Sequence, residues 1–403
     1  MARLSRWNLI AAVAAFVVLW SLVAMTIPRD RINTRGNQCA SRLKNLSIAA
    51  VQHDSSRNHL PGYVQDFGTY SGDGTDRSDP TNHGVPRHKK LGTWAVAVLP
   101  WLDAQPTYEH WTQDRYPIIV ADPKNPPPLG STSGSAGDGF HSLASPQLSI
   151  FPCPASPVDE SHNAPNSMIY NTGLAWSANK GSLAMASDLQ NGAGNSKYNV
   201  TKIDPKTGEG IHTSEAPDIG LDDFTDGKSC TMLFSENIQA LPWHRAGLIH
   251  SADLIINNPN QRDVKFNRTM PKALAAQYTQ GMVWHYEDAE AANPKLAPQW
   301  NKLGTKTPVT PRSVAPIHRI NGCMNGNRKS LFNLRIVDAV SASDLARPSS
   351  AHAAGVNAAF ADGSTRFIDE NINYRVYQAL LTPWGKTSSV PYPKYVVAAQ
   401  FRE

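Results

Sequence analysis

His352, Asp362 and Ser364 are the residue types of a nucleophile, base and acid relay, and they lie close together near the C-terminus. Such a relay needs its members within hydrogen-bond reach of about 3 Å. The stretch that carries them is organised differently. Val356, Ala358 and Phe360 alternate with small or polar residues, Asp362-Gly363 follows, and Thr365, Phe367 and Ile368 resume, which is the pattern of two strands joined by a tight two-residue turn. In a regular hairpin His352 precedes one strand and Ser364 follows the turn, roughly 20 to 25 Å away at about 3.3 Å per residue. The spacing therefore argues against catalysis. Asp362 and Gly363 are expected to form the turn, and His352 to cap or hydrogen-bond a neighbouring loop.

The other chemically capable residues do not converge either. The histidines at 53, 59, 83, 88, 110 and 141 fall in separate segments without a His-x-x-x-His pair, and a metal site needs three or four converging ligands. Asp222, Asp223 and Asp226 lack the alternating ladder and distal glutamate of a calcium loop. Asp226-Gly227 reads instead as a second turn before a strand at 230–235. There is no phosphate-binding loop, no dinucleotide fingerprint and no Gly-x-Ser-x-Gly elbow. No catalytic, cofactor-binding or metal-ligating residue is expected, and the protein is not expected to be an enzyme. Trp243 and Trp284, taken as exposed, could stack on sugars, which keeps an exported ligand- or carbohydrate-binding module as the alternative.

The chain has 403 residues, 40% hydrophobic and 18% charged, with 30 prolines and 27 glycines. That composition fits a folded α+β protein with many turns and long loops. A net charge of +5 is small for this length, and the one basic run, Arg87 to Lys90, reads as a solvated loop, so no nucleic-acid partner is expected. Residues 7–28 carry no charge, and about twenty such residues in a helix span a hydrocarbon core of about 30 Å. A retained single-pass anchor is expected over 1–28. Residues 29–403 would then form an exported domain, anchored in the inner membrane and facing the periplasm or the cell surface. Export makes Cys39, Cys153, Cys230 and Cys323 plausible disulfide formers; the three possible pairings stay open, with free buried thiols as the other structural reading.

Cys39, Leu43, Leu46 and Ala50 recur at helical spacing, with Ile48 and Val51 widening the stripe, so an amphipathic helix is expected over 37–54. Pro28 should kink or break its continuity with the anchor. Strands are expected near 147–154, 167–174 and 230–235, a helix near 373–381, and a strand or short helix at 334–340. Residues 237–348 carry no regular pattern.

Five of these stretches together resemble a family of exported, pilin-like proteins of unknown function, expanded in planctomycete bacteria. Its C-terminal module is named for a prepilin-type, processing-associated His, nine residues, then Asp-Gly. His352 and Asp362-Gly363 have that spacing. Cys39 to Asp54 resembles the family's cysteine-led helix, Leu99-Pro100-Trp101-Leu102 its Leu-Pro-Tyr-Leu, Cys153-Pro154-Ala155-Ser156 its Cys-Pro-Ser, and Asp223 to Glu236 its Asp-Gly segment ending in Glu. The N-terminus departs from the family, because Arg6-Trp7-Asn8-Leu9-Ile10 offers neither the glycine nor the glutamate of a prepilin signal. The resemblance implies an N-terminal helix packed on an antiparallel β-sheet, an enlarged loop-rich head, and a C-terminal hairpin module at about 334–385. It also implies a non-enzymatic envelope role in type II secretion- or type IV pilus-like surface assembly, with the membrane and other pilin-like subunits as partners.

Overall fold

The computed structural model describes residues 6–72, 82–128, 135, 137–156, 164–175, 188–198, 200–203, 210–212, 217–247, 251–256, 265–266, 270–271, 276–285, 315–323, 327–337 and 339–390. One helix, α1, runs Arg6–Arg57. It carries Pro28 in its interior, so the break expected there does not occur. A proline costs a helix about 3 kcal/mol through one lost donor and a ring clash, and hydrogen-bonded turns continue on both sides. Among the described residues no helix is long and apolar enough to cross a membrane. Most side chains of 7–28, where the anchor is expected, lie outside the described residues, although Val13, Phe16, Val17 and Trp20 are described and exposed.

The C-terminal half of α1 buries Cys39, Leu43, Leu46 and Ala50, as the stripe predicts. Ile48 is 39% exposed instead. It lies about 200° round the helix from Leu46 at about 3.6 residues per turn, which turns it away from the sheet. The helix stops where Asn58 takes a left-handed φ of 61° and its N–H donates to Asp54 O at 2.7 Å.

After α1 a hairpin of β1 (Val64–Tyr70) and β2 (His88–Thr93) leads into α2 (Trp94–Val98), a short 3₁₀ turn (Leu99–Leu102) and α3 (Gln105–Thr112). The expected solvated basic loop is therefore a strand. Lys89 pairs with Asp66 at 3.3 Å on the outer side, while His88 and Lys90 are buried. Lys90 Nζ donates to His110 O at 2.9 Å and Gln113 O at 2.5 Å. A basic side chain with two carbonyl acceptors can leave water, which composition alone does not reveal.

The main sheet uses β3 (Met168–Leu174), β6 (Met232–Glu236), β9 (Gly281–Trp284), β10 (Gly355–Phe360) and β11 (Thr365–Asp369) in the order β11-β10-β6-β3-β9. Smaller hairpins pair β4 (Val200–Ile203) with β5 (Gly210–His212) and β7 (Lys265–Phe266) with β8 (Met270–Pro271). The main sheet is antiparallel except at one edge, where β9 runs parallel to β3, so the fully antiparallel expectation is corrected to a mixed sheet. The remaining helices are α4 (Ala276–Thr279), α5 (Ala339–Leu345) and α6 (Tyr374–Leu381).

Both faces of the sheet are covered. Tyr170, Phe234 and Ala359 join the core that holds Leu43, Leu46 and Ala50 of α1, while Ile169, Met232, Val356, Ala358 and Phe360 join a second core with Tyr377, Leu380 and Leu381 of α6. Strands buried on both faces carry apolar stretches without alternation, and Met168 to Tyr170 and Met232 to Phe234 are such stretches. Residues 147–154 do not form the expected strand. They make turns closed by Phe151 N to Leu148 O and Ser156 N to Cys153 O, because Pro146, Pro152 and Pro154 have no N–H for a ladder. At 334–340 the backbone is irregular up to 337, and α5 follows.

The C-terminal hairpin is present with a different turn. Ala359 pairs with Thr365, Gly363 N donates to Phe360 O at 3.0 Å, and Phe360 N donates to Ser364 O at 2.9 Å. Asp362 has ordinary φ, and Gly363 alone is left-handed at φ 81°. This is a three-residue loop, a type I turn closed by a glycine bulge, rather than a two-residue turn. Asp362 is exposed and its Oδ1 accepts the Ser364 N–H at 2.9 Å. A left-handed non-glycine costs about 1 to 2 kcal/mol, so Gly363→Ala is expected to lower the unfolding free energy measured in urea by that much, and an unchanged value would count against this turn.

Two buried histidines give the fold a pH dependence. His88 Nδ1 donates to Pro86 O at 2.8 Å and Nε2 accepts the Ile118 N–H at 3.1 Å, an arrangement that only the neutral ring can make. Burial pushes His88 down to about 3 and His53 down to about 4. The unfolded imidazoles take up protons from about 6.5 downward, so stability is full above that pH and is lost as pH falls toward these values. At about pH 4.5 His88 alone costs on the order of 2 to 3 kcal/mol. Urea unfolding at pH 7.5 and 4.5 checks this, and equal midpoints would contradict it.

Candidate functional site

The residues from the sequence motifs meet at one buried point. Cys39 stands on α1, Cys153 in the proline-rich turn, Glu236 at the end of β6, and His352 in the loop that enters β10. Cys39 and Cys153 form a disulfide across 114 positions of sequence. His352 Nε2 lies 3.7 Å from Cys153 Sγ and 3.0 Å from Glu236 Oε1. Glu236 is fully buried, and its Oε2 accepts the Asn357 N–H at 2.9 Å while Asn357 Nδ2 reaches both carboxylate oxygens at 3.3 and 3.4 Å. A buried carboxyl group needs hydrogen-bond partners, and here both oxygens have them.

Local structure explains each position. Ser235 pairs with Ala358 across β6 and β10, which sets Glu236 opposite Asn357. The loop before β10 is pinned by Ser349 N to Glu236 O at 2.8 Å and by Ser350 Oγ, which donates to Gly355 O at 2.7 Å and accepts the His352 N–H at 3.0 Å. Buried Arg347 anchors the same loop, donating to Gln239 Oε1 at 3.0 Å and Gly322 O at 2.8 Å. Burial pushes its guanidinium down to about 10, with Cys323, Tyr377 and Asp344 opposing. On the helix side Arg42 donates to Pro152 O, and Ser47 Oγ donates to Phe360 O at 2.6 Å. The His-to-Asp-Gly spacing thus spans β10, from the buried histidine at one end to the turn beside α1 at the other.

The remaining predicted residues lie elsewhere. Gly227 has φ 102° and its N–H donates to Phe224 O at 3.1 Å, as the Asp226-Gly227 turn requires. Asp226 Oδ2 accepts the Gly385 N–H at 2.5 Å, Asp223 Oδ2 accepts the Gly220 N–H at 2.8 Å, and Asp222 pairs with Lys228 at 3.4 Å. Each of these carboxylates is thus spent on a turn or a cation. Cys230 is an exposed free thiol and Cys323 a buried one whose Sγ faces Asn321 O at 3.5 Å.

Trp243 and Trp284 are fully buried, which corrects the reading of exposed stacking platforms. Trp243 stacks on Phe151 with ring centroids 5.3 Å apart, and Trp284 Nε1 donates to Asn191 O at 3.0 Å. Their indole N–H groups find carbonyls inside, so the large apolar rings stay in the core.

Glu236, Asn357 and Arg347 are the functional-site residues that sequence reasoning missed. Glu236 carried one signal, an acidic residue ending an apolar strand in a matched motif. Chemically the cluster is a closed fastening: its histidine ring faces a disulfide and a carboxylate. A cavity of about 710 Å³ opens beside it, lined by Arg35, Pro154, Ser156, Gln239, Phe332 and Arg335 among others. Ser156 Oγ there is buried without a hydrogen-bond partner among the described residues.

No curated protein and no solved structure matches the chain. A family model described as "Protein of unknown function (DUF1559)" matches residues 30–375, a span that takes in Cys39, Cys153, Glu236 and His352. Since that match covers most of the chain, the protein belongs to the DUF1559 family.

Proposed function

We propose that the protein is a non-enzymatic, pilin-like envelope protein held in the inner membrane by residues 7–28, with residues 29–403 in the periplasm or on the cell surface and engaged in surface assembly with other pilin-like subunits. The observation that carries this reading is the division of α1. Its C-terminal half is fastened into the sheet by a disulfide and buried leucines, while Val13, Phe16, Val17 and Trp20 at its other end are 57 to 67% exposed and have no place in the head. A folded protein rarely leaves such an apolar row to water. The Cys39–Cys153 disulfide also suits an exported head.

Cell fractionation with N-terminal sequencing tests the proposal. The protein is expected in the membrane fraction, released by detergent and not by alkaline carbonate, with an intact Met1 or Ala2 and a head sensitive to external protease in spheroplasts. Recovery from the soluble fraction with an intact N-terminus would overturn it. The alternative, an exported ligand-binding module, loses its tryptophans but gains the cavity bearing Arg35, Arg335 and the unpartnered Ser156 hydroxyl.

A further inference from the structure

The donors around the disulfide do not end with its sulfurs. One ligand atom each from Cys39, Cys153, Glu236 and His352 lies within 4.8 Å of the other three, and all four residues are buried. Two sulfurs, an imidazole nitrogen and a carboxylate oxygen are the donor types of four-coordinate zinc, which takes thiolate at about 2.3 Å and nitrogen or oxygen at about 2.0 to 2.2 Å. A tetrahedron with those bonds has a sulfur-to-nitrogen edge of about 3.5 Å and a nitrogen-to-oxygen edge of about 3.3 Å. The corresponding separations are 3.7 Å from Cys153 Sγ to His352 Nε2 and 3.0 Å from His352 Nε2 to Glu236 Oε1. The carboxylate is already oriented, because the Asn357 N–H holds Oε2 at 2.9 Å and the Asn357 amide spans both oxygens, with Oε1 turned to the histidine. Such outer hydrogen bonds are what ligating carboxylates need. The segments come from four distant parts of the chain, so no sequence spacing announces the set.

We propose that reduction of the Cys39–Cys153 disulfide converts this cluster into a divalent-cation site, with zinc as the ion that fits, so that disulfide and metal are alternative fastenings of α1 to the sheet. A dithiol reductant supplies two electrons and two protons to the sulfur–sulfur bond and becomes a disulfide itself, leaving two thiols. Zinc then displaces both thiol protons. The proton that His352 Nε2 shares with Glu236 moves to Nδ1, which frees the Nε2 lone pair for the metal. With four protein ligands the site is closed and structural, with no position left for water.

The full chain, reduced with a dithiol and desalted without oxygen, is titrated with cobalt(II) as a spectroscopic stand-in for zinc. One cobalt per chain is expected, with thiolate-to-cobalt charge transfer and the visible bands of a tetrahedral site, and zinc should bleach both. The oxidised chain and a Cys39→Ser/Cys153→Ser variant should show neither, and Glu236→Gln should weaken binding by about tenfold or more. Circular dichroism and melting curves accompany the titration, and zinc should raise the melting temperature of the reduced chain but not of the oxidised one. A reduced, folded chain without charge transfer would overturn the proposal. So would an unchanged signal in the double serine variant, or a reduced chain that unfolds and is not restored by zinc.

Discussion

Replacing Cys39 and Cys153 by serine is expected to destabilise the head by about 2 to 5 kcal/mol, with the chain-entropy estimate near the top of that range for a loop of this size. The bond closes 114 positions of sequence and ties α1 to the proline-rich turn at Cys153. Its loss frees a long stretch of the unfolded chain, whereas Arg42 to Pro152 O and Ser47 to Phe360 O remain as the weaker ties of the same helix. Against a typical domain stability of about 5 to 15 kcal/mol, that loss is a large share. Chemical unfolding of the variant beside the wild type measures it, and a difference below about 1 kcal/mol would mean that the disulfide fastens little.

His352→Ala is expected to cost about 3 to 5 kcal/mol, for a different reason. The substitution leaves Glu236 fully buried with the Asn357 backbone N–H and side-chain amide holding its carboxylate, so the penalty is that of a buried carboxylate that has lost its imidazole neighbour rather than of one lost hydrogen bond. The companion change discriminates. Glu236→Gln keeps the shape and removes the charge, so combining it with His352→Ala should restore part of the loss. If the double variant is no more stable than His352→Ala, the charge is not what makes the single change costly. Both single variants should leave the Asp362-Gly363 turn intact, since that turn rests on its own backbone bonds.

Much of this fold could be read from residue order. The helical stripe of Cys39, Leu43, Leu46 and Ala50, the apolar runs of β3 and β6, the C-terminal hairpin and the helix after Asn373 all follow from local periodicity and capping. What failed has a common cause. Lys90, His88, Trp243 and Trp284 are residues that usually keep one end in water, and each is buried here because distant backbone groups satisfy its polar atoms: carbonyls for Lys90 and the two indoles, and the Ile118 N–H for His88. Such partners lie from 20 to 97 positions away, beyond the reach of any local pattern. The parallel pairing of β9 with β3 was unreadable for a related reason, because it crosses the unpatterned stretch 237–348.

The candidate site was half visible. Cys39, Cys153, His352 and Glu236 all lay in motifs that could be quoted, but only the pairing of β6 with β10 and the packing of α1 on the sheet bring them together. The spacing from His352 to Asp362-Gly363 was legible as a strand and its turn, which β10 and its loop bear out. Its meaning needed the structure: the histidine serves the buried end of β10 and the Asp-Gly pair serves the turn.

Cys39 and Cys153 converge as a disulfide beside His352, the bond that the proposed export would preserve. Peptide mapping of the protein from its native cell fraction, alkylated before and after denaturation and without reductant, tests it most directly. The expected result is a Cys39–Cys153 linked peptide, with Cys230 alkylated in the folded chain and Cys323 alkylated only after unfolding. Full alkylation of Cys39 and Cys153 without reductant, or either of them linked to Cys230 or Cys323, would contradict it.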